Sequence, residues 1–187
     1  SGVGDGGSHA GGLGGLHLPG VGGLFVLSGN PNHPYIIETN PLLTSFGHFY
    51  GSEYFLSRMG LDLNRLQAKL LGDAFYEARL IREQIMAMAG TRYLFSGLDD
   101  AETIRQLMDN AAEAGQALDL SVGVALTPEQ VAALDKDIVW LEEIDYNGQK
   151  ALVPRLYLSD ATRKDLALRG GTISGETVVV QGRGSLA

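Results

Sequence analysis

The sequence has no cysteine. Disulfides and cysteine-based zinc sites are therefore excluded, although this alone assigns no compartment. Positive charge is scarce: 14 Lys and Arg stand against 22 Asp and Glu, a formal net charge of −8. A nucleic-acid backbone repels such a chain, so nucleic acid is not expected as a partner. No run of Lys and Arg marks a membrane-surface patch. No apolar run approaches the roughly 20 residues that a membrane-spanning helix needs. No basic and then apolar leader opens the chain.

Catalytic signatures are missing too. There is no G-x-S-x-G, no P-loop, no H-E-x-x-H and no D-x-[DN]-x-[DN]-G calcium loop. The four histidines, His9, His17, His33 and His48, lack metal-ligand spacing and read as loop residues. The residues thus assign no catalytic, cofactor-binding or metal position, and the expectation is a protein that is not an enzyme and carries no cofactor.

What is present is 187 residues, enough for one domain with an appendage. Residues 1–23 are glycine-rich and read as a flexible linker. Their G-x-G-x-x-G match, Gly2 to Gly7, has no strand before it and no helix after it. Leu13, Leu16 and Leu18 hint at an extended strip that packs. Leu24–Leu27 and Tyr35–Thr39 read as short strands, separated by the turn cluster from Ser28 to Pro34. Ser52 to Met59 reads as a first short helix, ended at Gly60.

Gly60 to Gly90 carries the longest helical signal. Leu63, Leu66, Leu70, Ala74, Ile81, Ile85 and Met88 make one apolar stripe. Asp62 or Asn64 can cap its start and Gly90 can end it, with Gly72 as its weak point. Glu77 falls on that stripe, where an unpaired carboxylate is costly. The expectation is a structural ion pair with Arg79, Arg82 or Arg92. A tuned acid in a site is the sharper alternative.

Tyr93 to Phe95 reads as a buried connector. A third helix follows, with Asp99 and Glu102 as a capping box and Ile104, Leu107, Met108, Ala111 and Leu118 facing inward. Thr127, Pro128 and Gln130 start a fourth helix, with Val131, Leu134, Ile138 and Leu141 inward and Trp140 beside them. Asn147-Gly148 then marks a hairpin between strands of roughly Leu141–Tyr146 and Gln149–Leu158. Pro154 predicts an edge or bulged strand. Ser159 to Leu168 reads as a loop or helical turn. Gly170 to Ala187 resembles one rung of a β-solenoid.

The fold class is therefore α+β: a small bundle of about four helices with short strands and a β-hairpin, then the start of a β-helix rung. The division is 1–23 linker, 24–168 α+β module and 169–187 first part of a repeat region. Both ends read as cuts inside a longer protein.

Three functional classes fit these residues. One is a structural and interaction module. A second is a carboxylate-dependent cell-wall hydrolase, acting on glycans or peptides through Asp73 and Glu77, which stand at i, i+4. A third is a receptor-recognising surface built on Tyr50, Tyr54, Trp140 and Tyr157, for which core packing is the plainer role.

The stretches YIIETNPLLT (Tyr35–Thr44), LGDAFYEARLIREQI (Leu71–Ile85), LDLSVGVALTPEQVAALDKDIVWLE (Leu118–Glu142) and LVPRLYLS (Leu152–Ser159) resemble a module of large filamentous haemagglutinin-like exoproteins. These include the CdiA effectors of contact-dependent growth inhibition. The resemblance spans about Tyr35 to Ser159. It implies a secreted, cell-surface protein of a Gram-negative bacterium, an adhesin or a toxin carrier. The implied partners are the β-helical repeats of the same filament, an outer-membrane two-partner transporter and, as a further candidate, a target-cell receptor. It carries over no catalytic residue.

Overall fold

The computed structural model describes residue 16 and residues 18–20, 23–39, 50–66, 68–90 and 100–168. The expected solenoid rung, the Tyr93–Phe95 connector, the Asp99 cap and most of the glycine-rich start lie outside the described residues. Two strands come first: β1 (Phe25–Leu27) and β2 (Tyr35–Thr39). Then follow α1 (Ser52–Arg58), a 3-10 turn (Leu63–Arg65), β3 (Lys69–Gly72) and α2 (Ala74–Met88). The remaining elements are α3 (Asp100–Ala117), α4 (Pro128–Ala132), β4 (Ile138–Tyr146), β5 (Gln149–Tyr157) and α5 (Asp160–Leu168). No helix among the described residues is long and apolar enough to cross a membrane.

The strands form one mixed sheet in the order β1-β2-β3-β5-β4. β1 and β2 are antiparallel, β3 lies parallel to both β2 and β5, and β4 and β5 make the hairpin. The class is α+β, as the residues predict. α3 packs mainly against β4, and α2 against β5. Leu70 and Leu71, neighbours in β3, enter two different apolar clusters. Alternate positions of a strand face opposite sides of its sheet, so both faces are covered. The larger cluster holds Phe55, Ile81, Leu107, Trp140 and Leu156; the smaller holds Phe25, Ile37, Leu71, Tyr76 and Val153. Leu16 and Leu18 pack against the smaller one, so part of the leucine strip does dock.

The helix expected from Gly60 to Gly90 is only half helix. Its first half is the 3-10 turn, capped by the Asp62 side chain, followed by β3. The spacing of Leu63, Leu66 and Leu70 suits a helix, but Leu70 and Leu71 are both buried, and that is the mark of a strand covered on both faces. Gly72 closes the strand, and Asp73 caps α2 by accepting a bond from Tyr76 N–H. Gly90, with φ +79°, ends α2 as expected, its N–H reaching Ile85 C=O.

The fourth helix is likewise shorter than its pattern. The Thr127–Gln130 capping box forms in full, yet α4 stops at Ala132. Ile138 to Leu141 are all buried and belong to β4. The 3-4-3 spacing of Val131, Leu134, Ile138 and Leu141 suits a helix, but the unbroken buried run from Ile138 to Leu141 is that of a strand covered on both faces. The hairpin turn is as predicted, with positive φ at Asn147 and Gly148. Ser159 to Leu168 contains α5, with Ser159 Oγ accepting from Thr162 N–H.

Pro154 does not sit on an edge strand. β5 lies between β3 and β4, with Pro154 opposite Leu141. β3, however, pairs with β5 only at Ala151 and Leu152. Beyond that point the Gln84 side chain stands in for the missing strand. Its Nε2 donates to Pro154 C=O at 2.9 Å, and its Oε1 accepts from Leu156 N–H at 2.9 Å. The N–H and C=O of one strand residue point to the same side. The N–H that Pro154 lacks therefore falls where no ladder needs it. Gln84→Ala leaves two buried backbone groups unpaired, and a denaturant titration should show about 2 kcal/mol of lost stability.

Candidate functional site

A cavity of about 250 Å³ opens where α1 and α2 begin, over β2 and β3. Tyr35, Leu70 and Gly72 form its strand wall, Tyr50 to Tyr54 one side, and Asp73, Ala74 and Glu77 the other. The two carboxylates that sequence spacing singles out thus meet at one pocket. Neither is left free.

Asp73 joins the end of β2 to the start of α2. Its Oδ2 accepts from Thr39 N–H, and its Oδ1 accepts from Thr39 Oγ1 at 3.2 Å and from Tyr76 N–H at 2.9 Å. Glu77 is 1% exposed. Its Oε1 accepts from Ser52 N–H at 2.7 Å, and its Oε2 is in contact with Ser52 Oγ. The N-cap of α1 is Gly51, which offers no side-chain bond, so Glu77 caps α1 from the neighbouring helix. Glycine is required there, because a Cβ at position 51 would lie 2.8 Å from Glu77 Oε1 and 2.9 Å from Ala74 Cβ.

Among the described residues the bonds to Glu77 come from Ser52 and not from the expected arginine. Arg79 pairs with Glu83 on the surface, and Arg92 lies outside the described residues. Burial pushes the Glu77 carboxyl from its ordinary 4.5 up to about 8; the Ser52 bonds pull the other way, and Asp73 and Glu53 add to the rise. At neutral pH the group is mostly protonated. The same field raises the Tyr35 hydroxyl, through burial first and then Asp73, Glu38 and Glu53. Sequence reasoning missed Ser52 and Gly51 as members of this site, because Ser52 stands 25 positions from Glu77.

A glycosidase needs one carboxyl to donate a proton and a second to attack or to activate water. Here Asp73 is committed to two backbone N–H groups and Glu77 to Ser52, so the pair does not offer that division of labour. Among the described residues no group of three His, Cys, Asp or Glu could hold a metal ion. The aromatic candidates divide. Trp140 is wholly buried against Phe55, and the Tyr157 hydroxyl is bonded to Glu142 and Leu126 N–H. Tyr50 and Tyr54 stand edge to face at 4.9 Å and line the pocket. His33 is a loop residue, bonded to Ser28 Oγ.

Comparison with known proteins then decides the family. The chain is 41% identical over 153 residues to the tRNA nuclease CdiA of Yersinia mollaretii, which covers 82% of this chain. It is 43% identical over 146 residues to the 16S rRNA endonuclease CdiA of Enterobacter cloacae, covering 78%. It is 37% identical over 131 residues to the filamentous hemagglutinin of Bordetella pertussis, covering 70%. The chain belongs to the CdiA and filamentous hemagglutinin exoproteins. It spans only about 5%, 4% and 4% of those relatives' own lengths, so it corresponds to one module of a much larger secreted protein. No family model matches the chain, and no solved structure matches it.

These names correct two expectations. CdiA relatives are nucleases by name, which overturns the expectation of a protein that is not an enzyme. It also overturns the exclusion of nucleic acid as a partner. That exclusion rested on a formal net charge of −8. Net charge describes the long-range field of this segment. A nuclease engages its substrate through a local site, and the relatives extend far beyond the segment whose charge was summed.

Proposed function

We propose that this chain is a module of a large exported cell-surface protein that carries a nuclease toxin, and that it connects or ends β-helical repeats in that protein. In this reading 24–168 is the folded module, 1–23 the linker before it and 169–187 the start of the following repeat. The nucleic acid is RNA or DNA, the partner of the whole protein. The transporter is the two-partner kind that serves such exoproteins.

One observation carries the reading. Relatives named for tRNA and for 16S rRNA share this segment at 41% and 43% identity, and a hemagglutinin shares it at 37%. The segment does not follow the substrate in the name, so it serves what these proteins have in common, their export and display. The sheet adds support. Among the described residues β1 pairs with β2 alone, and Leu27 at its end is 51% exposed. Such an edge invites a further strand.

Deleting 24–168 in frame from the full-length protein tests this. Surface display, read by labelling intact cells, should fall. Unchanged display overturns the proposal. Nuclease activity of the lysed cells, measured in parallel, tells whether the deleted segment also holds groups the reaction needs.

A further inference from the structure

α1 has no cap of its own. Its first N–H and its first hydroxyl both belong to Ser52, which is fully buried, and both are held by Glu77 of α2. The grip is tight, since Gly51 and Ala74 leave no room for even a methyl group between the helices. The charged groups acting on Glu77 are both acidic: Asp73 at the foot of its own helix and Glu53 on α1. β2 contributes Tyr35 to the surroundings, β3 contributes Leu70 and Gly72, and Tyr50 precedes α1. α3 adds no residue to the pocket, and no Lys, Arg or His lines it among the described residues.

We infer that Glu77 is a proton-dependent latch: protonated, it holds the first turn of α1 against α2, and ionised, it loosens that turn and widens the pocket. The reason is local. A neutral carboxyl donates one bond and accepts another, which Ser52 Oγ and Ser52 N–H satisfy together. A carboxylate in the same place can still accept both Ser52 bonds, but it is desolvated, faces two further acids and has no cation among its contacts with the described residues. Its solvation improves when the start of α1 moves away. The remainder of α1 stays anchored, because Phe55 and Leu56 are buried in the larger cluster and Tyr54 donates to Asp109.

Hydrogen exchange across pH 5 to 9 tests the latch on the whole chain. Protection factors of the first-turn amides, Ser52 to Phe55, should fall by about tenfold or more relative to the α3 amides from Leu107 to Ala111. In Glu77→Gln, which keeps the shape and cannot ionise, they should stay level. A parallel carbon-13 titration of the Glu77 carboxyl should show its midpoint coinciding with that fall. The inference is overturned if α1 protection is flat in the parent chain. It is equally overturned if Glu77→Gln loses protection in the same way, or if Glu77 ionises while α1 stays protected.

Discussion

Gly72→Ala should lower the stability of the chain by about 3 kcal/mol or more, one of the largest losses expected from any single methyl group here. Position 72 is the last residue of β3, and α2 begins two residues later. A Cβ there would lie 2.3 Å from Tyr76 Cδ2, 2.7 Å from Cγ and 2.8 Å from Tyr76 Cβ. These atoms are the root of a side chain, not a flexible tip. Tyr76 has no room to retreat. It is 1% exposed, stacks edge to face on Phe25 at 4.9 Å, and donates its hydroxyl to Pro19 C=O at 2.8 Å. Relief must come from moving β3 away from α2, and that also breaks the Asp73 bonds to Thr39. Chemical denaturation checks it: the midpoint should drop sharply, with a smaller drop for Gly148→Ala at the exposed hairpin turn. Equal effects at the two positions would show that contact with Tyr76 is not what position 72 requires.

The same glycine shows how far the sequence could be read. As an interior helix residue it is merely a weak point. As a strand end followed by an aspartate cap it is punctuation, and the pair Gly72-Asp73 marks the boundary that the leucine spacing hides. Local signals translated well. The Thr127–Gln130 box, the Asn147-Gly148 turn and the β2 boundaries are all present, because each depends on residues within a few positions. The errors arose where apolar runs are buried on both sides. Lys69 to Gly72 and Ile138 to Leu141 have no exposed face to mark a period, so either element fits them. Long-range pairing was the other barrier. The burial of Glu77 could be read from its place on the stripe, but its partner could not. Gln84 in place of a sheet neighbour for Pro154 has no sequence signal at all, since 70 positions separate the two.

Glu77→Gln should change how stability depends on pH. The folded chain holds the Glu77 proton up to about 8, whereas the ordinary value is 4.5. Between these values the folded state binds one more proton than the unfolded state, so stability falls as pH rises. The contribution of the neutral acid is complete below about 4.5, is lost progressively across that window, and is flat above about 8. This direction is opposite to that of a salt-bridged carboxylate, whose stabilisation disappears in acid. The amide side chain of the variant cannot ionise. Its carbonyl can accept from Ser52 N–H, and its NH2 group can donate to Ser52 Oγ. Parent and variant should therefore be close in stability at pH 4.5. By pH 8.5 the variant should be the more stable by on the order of 3 kcal/mol, a figure reduced from the full shift because a buried site relaxes. Every other titrating group is common to both chains and cancels in the difference. Urea titrations at four or five pH values would give the curve. A constant difference across the range would mean that the folded chain holds the Glu77 proton no more tightly than the unfolded chain does. A variant that loses stability toward alkaline pH as steeply as the parent would place the responsible group elsewhere.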